Sequence, residues 1–263
     1  MATMATIVLF FGNEIGRAGL LALLLAPLLA TPSYADEVMV AVAANFAAPM
    51  QKIAVEFERA TGHKAMLAFG SSGKLFAQIV NGAPFEVLLA ADEAIPAQLE
   101  RDGHALGGSR FTYATGRLAL WSAQPNTVDS HGDVLRKNAF GHLALANPKT
   151  APYGAAAIEV MKKLGVLGSL QAKLVQGENV AQTYQFAATG NADLAFVALS
   201  QIWQEGRISS GSAWIVPATL HQAVRQDAVL LEAGRDKAAA GALLAYLKGD
   251  TARAIIKSYG YAL

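Results

Sequence analysis

Between residues 38 and 101 the chain alternates short β-prone runs with amphipathic helical stretches. That alternation restricts it to the α/β class with a parallel sheet. Residues 38–42 form an unbroken apolar run, as a strand buried on both faces requires. Residues 47–60 follow, with Met50, Ile53, Ala54 and Phe57 on one helical stripe, and Thr61-Gly62 ends the pattern. A second strand is predicted over 64–69. A second helix opens at Ser71-Ser72-Gly73, carries Leu75, Phe76, Ile79 and Val80 on one face, and closes at Asn81-Gly82. A third strand over 85–90 and a third helix over 95–101 complete two crossovers, which place helices on both faces of the sheet.

A second α/β unit follows over 116–217. Strands are predicted at 117–121, 142–146, 173–176 and 194–198, with helices at 153–164 and 180–188. In the helix over 153–164, Ala157, Ile158, Met161 and Leu164 face inward. Two further helices, 238–247 and 251–259, close the chain. Two similar units in one chain suggest two lobes with a ligand cleft at the carboxyl ends of their strands.

Residues 1–35 read differently. The stretch 18–30 is apolar throughout but too short for a bilayer, which needs about 20 residues. Arg17 precedes it and Ser33-Tyr34-Ala35 follows, the pattern of a secretory signal peptide cleaved after Ala35. A soluble periplasmic product is expected. Apolar residues make up 53% of the chain, which excludes disorder, and a net charge of +1 makes nucleic acid an unexpected partner. The absence of cysteine excludes disulfides, thiolate metal sites and a Cys nucleophile.

Four segments share one design, in which a strand or loop ends in small or polar residues and a helix begins. They are Ala43-Ala44-Asn45, Gly70-Ser71-Ser72-Gly73, the run from Asn147 to Gly154, and Gly177-Glu178-Asn179-Val180. Helix starts expose unpaired N–H groups and the positive dipole end. Asn and Ser at such places either cap the helix or face an anion. Any one site alone reads as a cap, whereas four on two facing lobes could converge on a small tetrahedral oxyanion.

Other chemistry finds little support. The segment 70–74 has Ala68 and Leu75 where a phosphate loop needs Gly and Ser or Thr, so Lys74 reads as a solvated helix charge. The five histidines lack metal-ligand spacing. Ser71 and Ser72 have no nucleophile elbow, and Asp92 reads as a cap for the helix after it.

The segments AVAANF (41–46), FGSSGKLFAQIVNGAPFEVLLAAD (69–92), LALANPKTAPYGAAA (143–157), GENV (177–180) and NADLAFVA (191–198) together resemble the periplasmic molybdate-binding proteins of ABC transporters. The likeness runs from about Val38 to the closing SYGYA. It implies the two-lobed type 2 periplasmic binding protein fold. Lobe one would comprise 36–114 plus 219–263, and lobe two 115–218. It also implies a binding protein rather than an enzyme, a monomer without cofactor, with molybdate or tungstate as ligand and a membrane permease as partner. Carried over by position, the oxyanion donors are Asn45 and Ser72, the backbone around Ala44, and the N–H groups of Tyr153 and Val180. One branch of the family has Ser at the place of Asn45 and a ligating Tyr at the place of Ala198; another has Asn and Tyr where this chain has Asn45 and Tyr153. The Tyr153 hydroxyl therefore either stays out of the site or fills the place that Ala198 leaves. The alternatives weighed are a receptor for another tetrahedral oxyanion such as sulfate, and a secreted α/β hydrolase or transferase.

Overall fold

The computed structural model describes residues 36–263; the signal-peptide expectation for 1–35 lies outside them. The chain first builds β1 (Glu37–Ala43), α1 (Ala47–Thr61), β2 (Lys64–Gly70), α2 (Ser72–Val80), β3 (Val87–Leu89), α3 (Ala94–Arg101) and β4 (Phe111–Gly116). It then crosses at Arg117 into a second sheet. There it forms β5 (Leu118–Ser122), α4 (Val134–Lys137), β6 (Leu143–Ala146), α5 (Pro152–Lys163), α6 (Leu167–Leu170), β7 (Leu174–Gly177), α7 (Val180–Ala188) and β8 (Leu194–Ala198). A short hairpin, β9 (Trp203–Gln204) with β10 (Arg207–Ile208), leads to β11 (Ser212–Ile215). The chain returns to the first sheet as β12 (Val224–Leu230) and ends in α8 (Ala238–Lys248) and α9 (Asp250–Ser258).

The two sheets have the same plan. The first runs β2-β1-β3-β12-β4 and the second β7-β6-β8-β5-β11. In each, three strands pair in parallel, a fourth (β12 or β5) runs against them, and the edge strand (β4 or β11) pairs antiparallel with that fourth strand. The parallel strands are the apolar runs read from the sequence: Val38, Val40, Val42, Val87 and Leu89 are wholly buried under helices on one face, and Ala41 and Leu88 on the other. Met50, Ile53 and Phe57 of α1 pack there, together with Leu243, Leu247 and Ile256 from α8 and α9. Ala157 and Met161 of α5 fill the matching core of the second sheet. Val80, expected on the buried face of α2, is 39% exposed, whereas Leu75 and Ile79 are buried and Phe76 packs against the same core.

The sequence reading misses β4, β11, β12, the β9–β10 hairpin and the short helices α4 and α6. Of these β12 matters most. Its sequence, VRQDAVL, interrupts the apolar pattern with Arg225, Gln226 and Asp227, yet Gln226 and Asp227 are fully buried at a shift in the β12–β4 register. Asp227 is satisfied by the Arg110 guanidinium at 2.6 Å and the Thr112 hydroxyl at 2.7 Å. The chain end is fixed to β4 by reciprocal bonds between Thr115 and Ala262, which completes the first lobe from both ends of the described chain. Among the described residues no helix is long and apolar enough to cross a membrane.

Candidate functional site

All five expected positions, Ala44, Asn45, Ser72, Tyr153 and Val180, line one pocket between the lobes, together with Ser71, Ala91, Pro152 and Asn179. No lining residue carries a charge, and the cavity is small, about 10 Å³. That is far below the usual range for organic ligands, roughly 300–1,000 Å³.

Local sequence decides which donors each helix start leaves over. In α5, Pro152 at the first position has no N–H, and Gly154 is already bonded to the Ala151 carbonyl, so Tyr153 keeps the free N–H. In α7 the Asn179 side chain accepts from Ala181 and Gln182, while Thr183 donates to the Asn179 carbonyl, so Val180 keeps its own. In α2 the Gly73 N–H donates to the Thr150 carbonyl of the other lobe at 2.9 Å, and Ser72 keeps its own. Ala44 and Asn45 open the turn between β1 and α1, where the β1–β2 ladder ends at the Ala43–Gly70 pair. Of the four segments, only 177–180 uses its polar side chain as a cap on the helix that follows.

Gly73 has a steric role as well. A Cβ there would lie 3.0 Å from the Thr150 Cα and 3.1 Å from its carbonyl oxygen, so only glycine admits this approach of the lobes without displacement. One residue on, Lys74 is not a free solvated charge: its Nζ lies 2.8 Å from the Glu178 carboxylate, across the pocket mouth.

Behind the pocket lies a buried network that the sequence reading missed. Asn45 Nδ2 donates to Gln226 Oε1 at 2.9 Å and to the Tyr261 hydroxyl at 3.0 Å. The Tyr113 hydroxyl donates to Gln226 Oε1, and Gln226 Nε2 donates to the Tyr153 hydroxyl at 3.1 Å. The hydroxyls of Ser200 and Tyr261 both donate to the Asn45 carbonyl. Both Asn45 amide protons are thus given to protein partners, which differs from the expected use of this side chain as a ligand donor. The Tyr153 hydroxyl occupies space that a side chain at Gly116 would take. Ala198 is fully buried and does not line the pocket. Burial pushes Tyr113 and Tyr153 well above the usual phenol range and Tyr261 to about 12, so all three stay protonated. The one signal in the sequence was a Gln-Asp pair inside an apolar run, since a buried polar side chain demands partners.

Ser72 is wholly buried and its Oγ accepts from the Ala91 N–H at 2.8 Å. Asp92 Oδ1 accepts from the Ile95 N–H at 2.7 Å, the capping role expected of it. Burial raises the Asp92 carboxyl above its ordinary range, opposed by hydrogen bonds from Ile95 and Ser72.

Two facing α/β lobes around a neutral, donor-lined pocket define the periplasmic binding protein fold, as a class of ligand receptor. The family model of the bacterial extracellular solute-binding proteins matches residues 38–262, and the chain belongs to that family. It is 57% identical to the molybdate-binding protein ModA of Azotobacter vinelandii, over 90% of this chain and 94% of the relative. It is 53% identical to the ModA of Rhodobacter capsulatus, over 93% and 96%. The solved structure of an Azotobacter vinelandii periplasmic molybdate-binding protein superposes with a TM-score of 0.83 at 44% identity, covering 86% of this chain and 99% of that one.

Proposed function

We propose that this chain binds molybdate or tungstate in the cleft and delivers it to the membrane permease of an ABC transporter. In this reading residues 1–35 are removed on export, and the mature protein works in the periplasm as a monomer. It catalyses no reaction and binds no nucleic acid. The observation that carries it is the convergence of four strand-to-helix turns, through Ala44, Asn45, Ser72, Tyr153 and Val180, on a pocket without charge. An ionised dianion leaves water only where many donors replace its hydration shell. Neutral donors at helix starts do so without a counter-ion. They also select against protonated phosphate, whose O–H would meet donors and no acceptor. Sulfate, of the same shape and charge, is discriminated by size. The names of the two relatives agree with this choice of ligand.

The test is thermal unfolding of the purified chain with molybdate, tungstate, sulfate, phosphate or ferric citrate at matched concentrations. A ligand at about 100 times its dissociation constant adds roughly 2.7 kcal/mol. Molybdate and tungstate are expected to raise the midpoint, and the other three to leave it near that of the free protein. An equal rise with sulfate would turn the assignment to a general tetrahedral-oxyanion receptor.

A further inference from the structure

Ser71 stands at the N-cap of α2 with the extended backbone of a capping residue, φ −75° and ψ 147°, yet its side chain caps nothing. A serine at this position normally accepts from the second or third N–H of its helix. Here the second belongs to Gly73, and the Thr150 carbonyl of the opposite lobe takes it. The displaced hydroxyl has found no other partner: Ser71 is 4% exposed, its Oγ is buried, and it bonds to nothing among the described residues. A buried hydroxyl without a partner is costly, and one kept in a pocket wall points to a ligand. Both amide protons of Asn45 go to Gln226 and Tyr261, while Ser72 Oγ accepts from Ala91 and keeps its own proton to donate.

We infer that the Ser71 hydroxyl is a side-chain donor to the bound oxyanion, in the role that position alone assigns to Asn45. This rests on the function proposed above and extends its donor set. Closure and ligation meet at this turn, since the next residue but one, Gly73, donates to Thr150 of the other lobe.

Molybdate is titrated calorimetrically into the parent, Ser71→Ala and Ser71→Thr, and the ligand-free forms are unfolded in urea. Ser71→Ala is expected to lose ten- to a hundredfold in affinity, the range for a hydrogen bond to a charged group. Its ligand-free stability should be unchanged or higher, since an unpaired buried hydroxyl is gone. Ser71→Thr keeps the donor and should recover affinity to within a few-fold of the parent. Affinity of Ser71→Ala within twofold of the parent would overturn the inference and leave the proposed function standing. So would a loss of ligand-free stability as large as the loss of binding, which marks a structural hydroxyl. No binding of molybdate or tungstate by the parent would overturn both.

Discussion

The Tyr153 residue contributes to the molecule through two separate groups. Its N–H faces the pocket, while its hydroxyl, behind the pocket, accepts from Gln226 Nε2. Tyr153→Phe removes only the second and leaves the buried Gln226 amide short of an acceptor. It is expected to lower unfolding free energy by about 1–3 kcal/mol, the usual cost of a stranded buried donor. Affinity for molybdate should stay within a few-fold of the parent. Urea unfolding and calorimetry on the one variant give both numbers; a loss of affinity beyond tenfold would place the hydroxyl on the ligand. At this scale the sequence was informative about positions and less so about atoms. Ala44, Asn45, Ser72, Tyr153 and Val180, which the family resemblance singles out, line one pocket, and all fall in the four strand-to-helix segments that pattern alone picks out. Which atom of Asn45 faces inward depends on Gln226 and Tyr261, far along the chain, and no local pattern encodes that.

Helix α2 is tied to both loops of the second lobe, by Gly73 to Thr150 and by Lys74 to Glu178. The second contact is an exposed ion pair, worth about 0.2–1 kcal/mol. Opening the cleft must break it, so Lys74→Ala and Glu178→Ala are each expected to speed ligand release about two- to fivefold, in line with that energy. The double variant should be no faster than either single one, and the salt dependence of release should weaken in all three. Stopped-flow displacement measures this; additive effects in the double variant would show that the pair does not act as a unit. Regular elements were legible where periodicity was clean: α7 and β8 begin and end at the residues expected from pattern alone. β12 was lost because its centre is polar, and β4 and β11 because these edge strands lack the long apolar runs of the inner ones.

For the molecule as a whole, strand–helix alternation exposed two α/β units, but not that β12, α8 and α9 return to the first. That return depends on contacts between distant segments, such as Thr115 with Ala262. The neutrality of the pocket has a consequence at this scale. With no lining charge to cancel it, the cargo's charge is added to the receptor's own. The chain's formal charge is +1, and Glu14 and Arg17 offset each other in residues 1–35, so residues 36–263 also carry +1. Two negative charges from a bound dianion bring this to −1. Empty and loaded receptor are then a weak cation and a weak anion near neutral pH, and native isoelectric focusing with and without molybdate should resolve them as two bands, the loaded one more acidic. Identical focusing positions for the saturated and free protein would mean that protons or counter-ions enter with the ligand. A membrane partner could tell a full receptor from an empty one by the sign of its field before any surface touches.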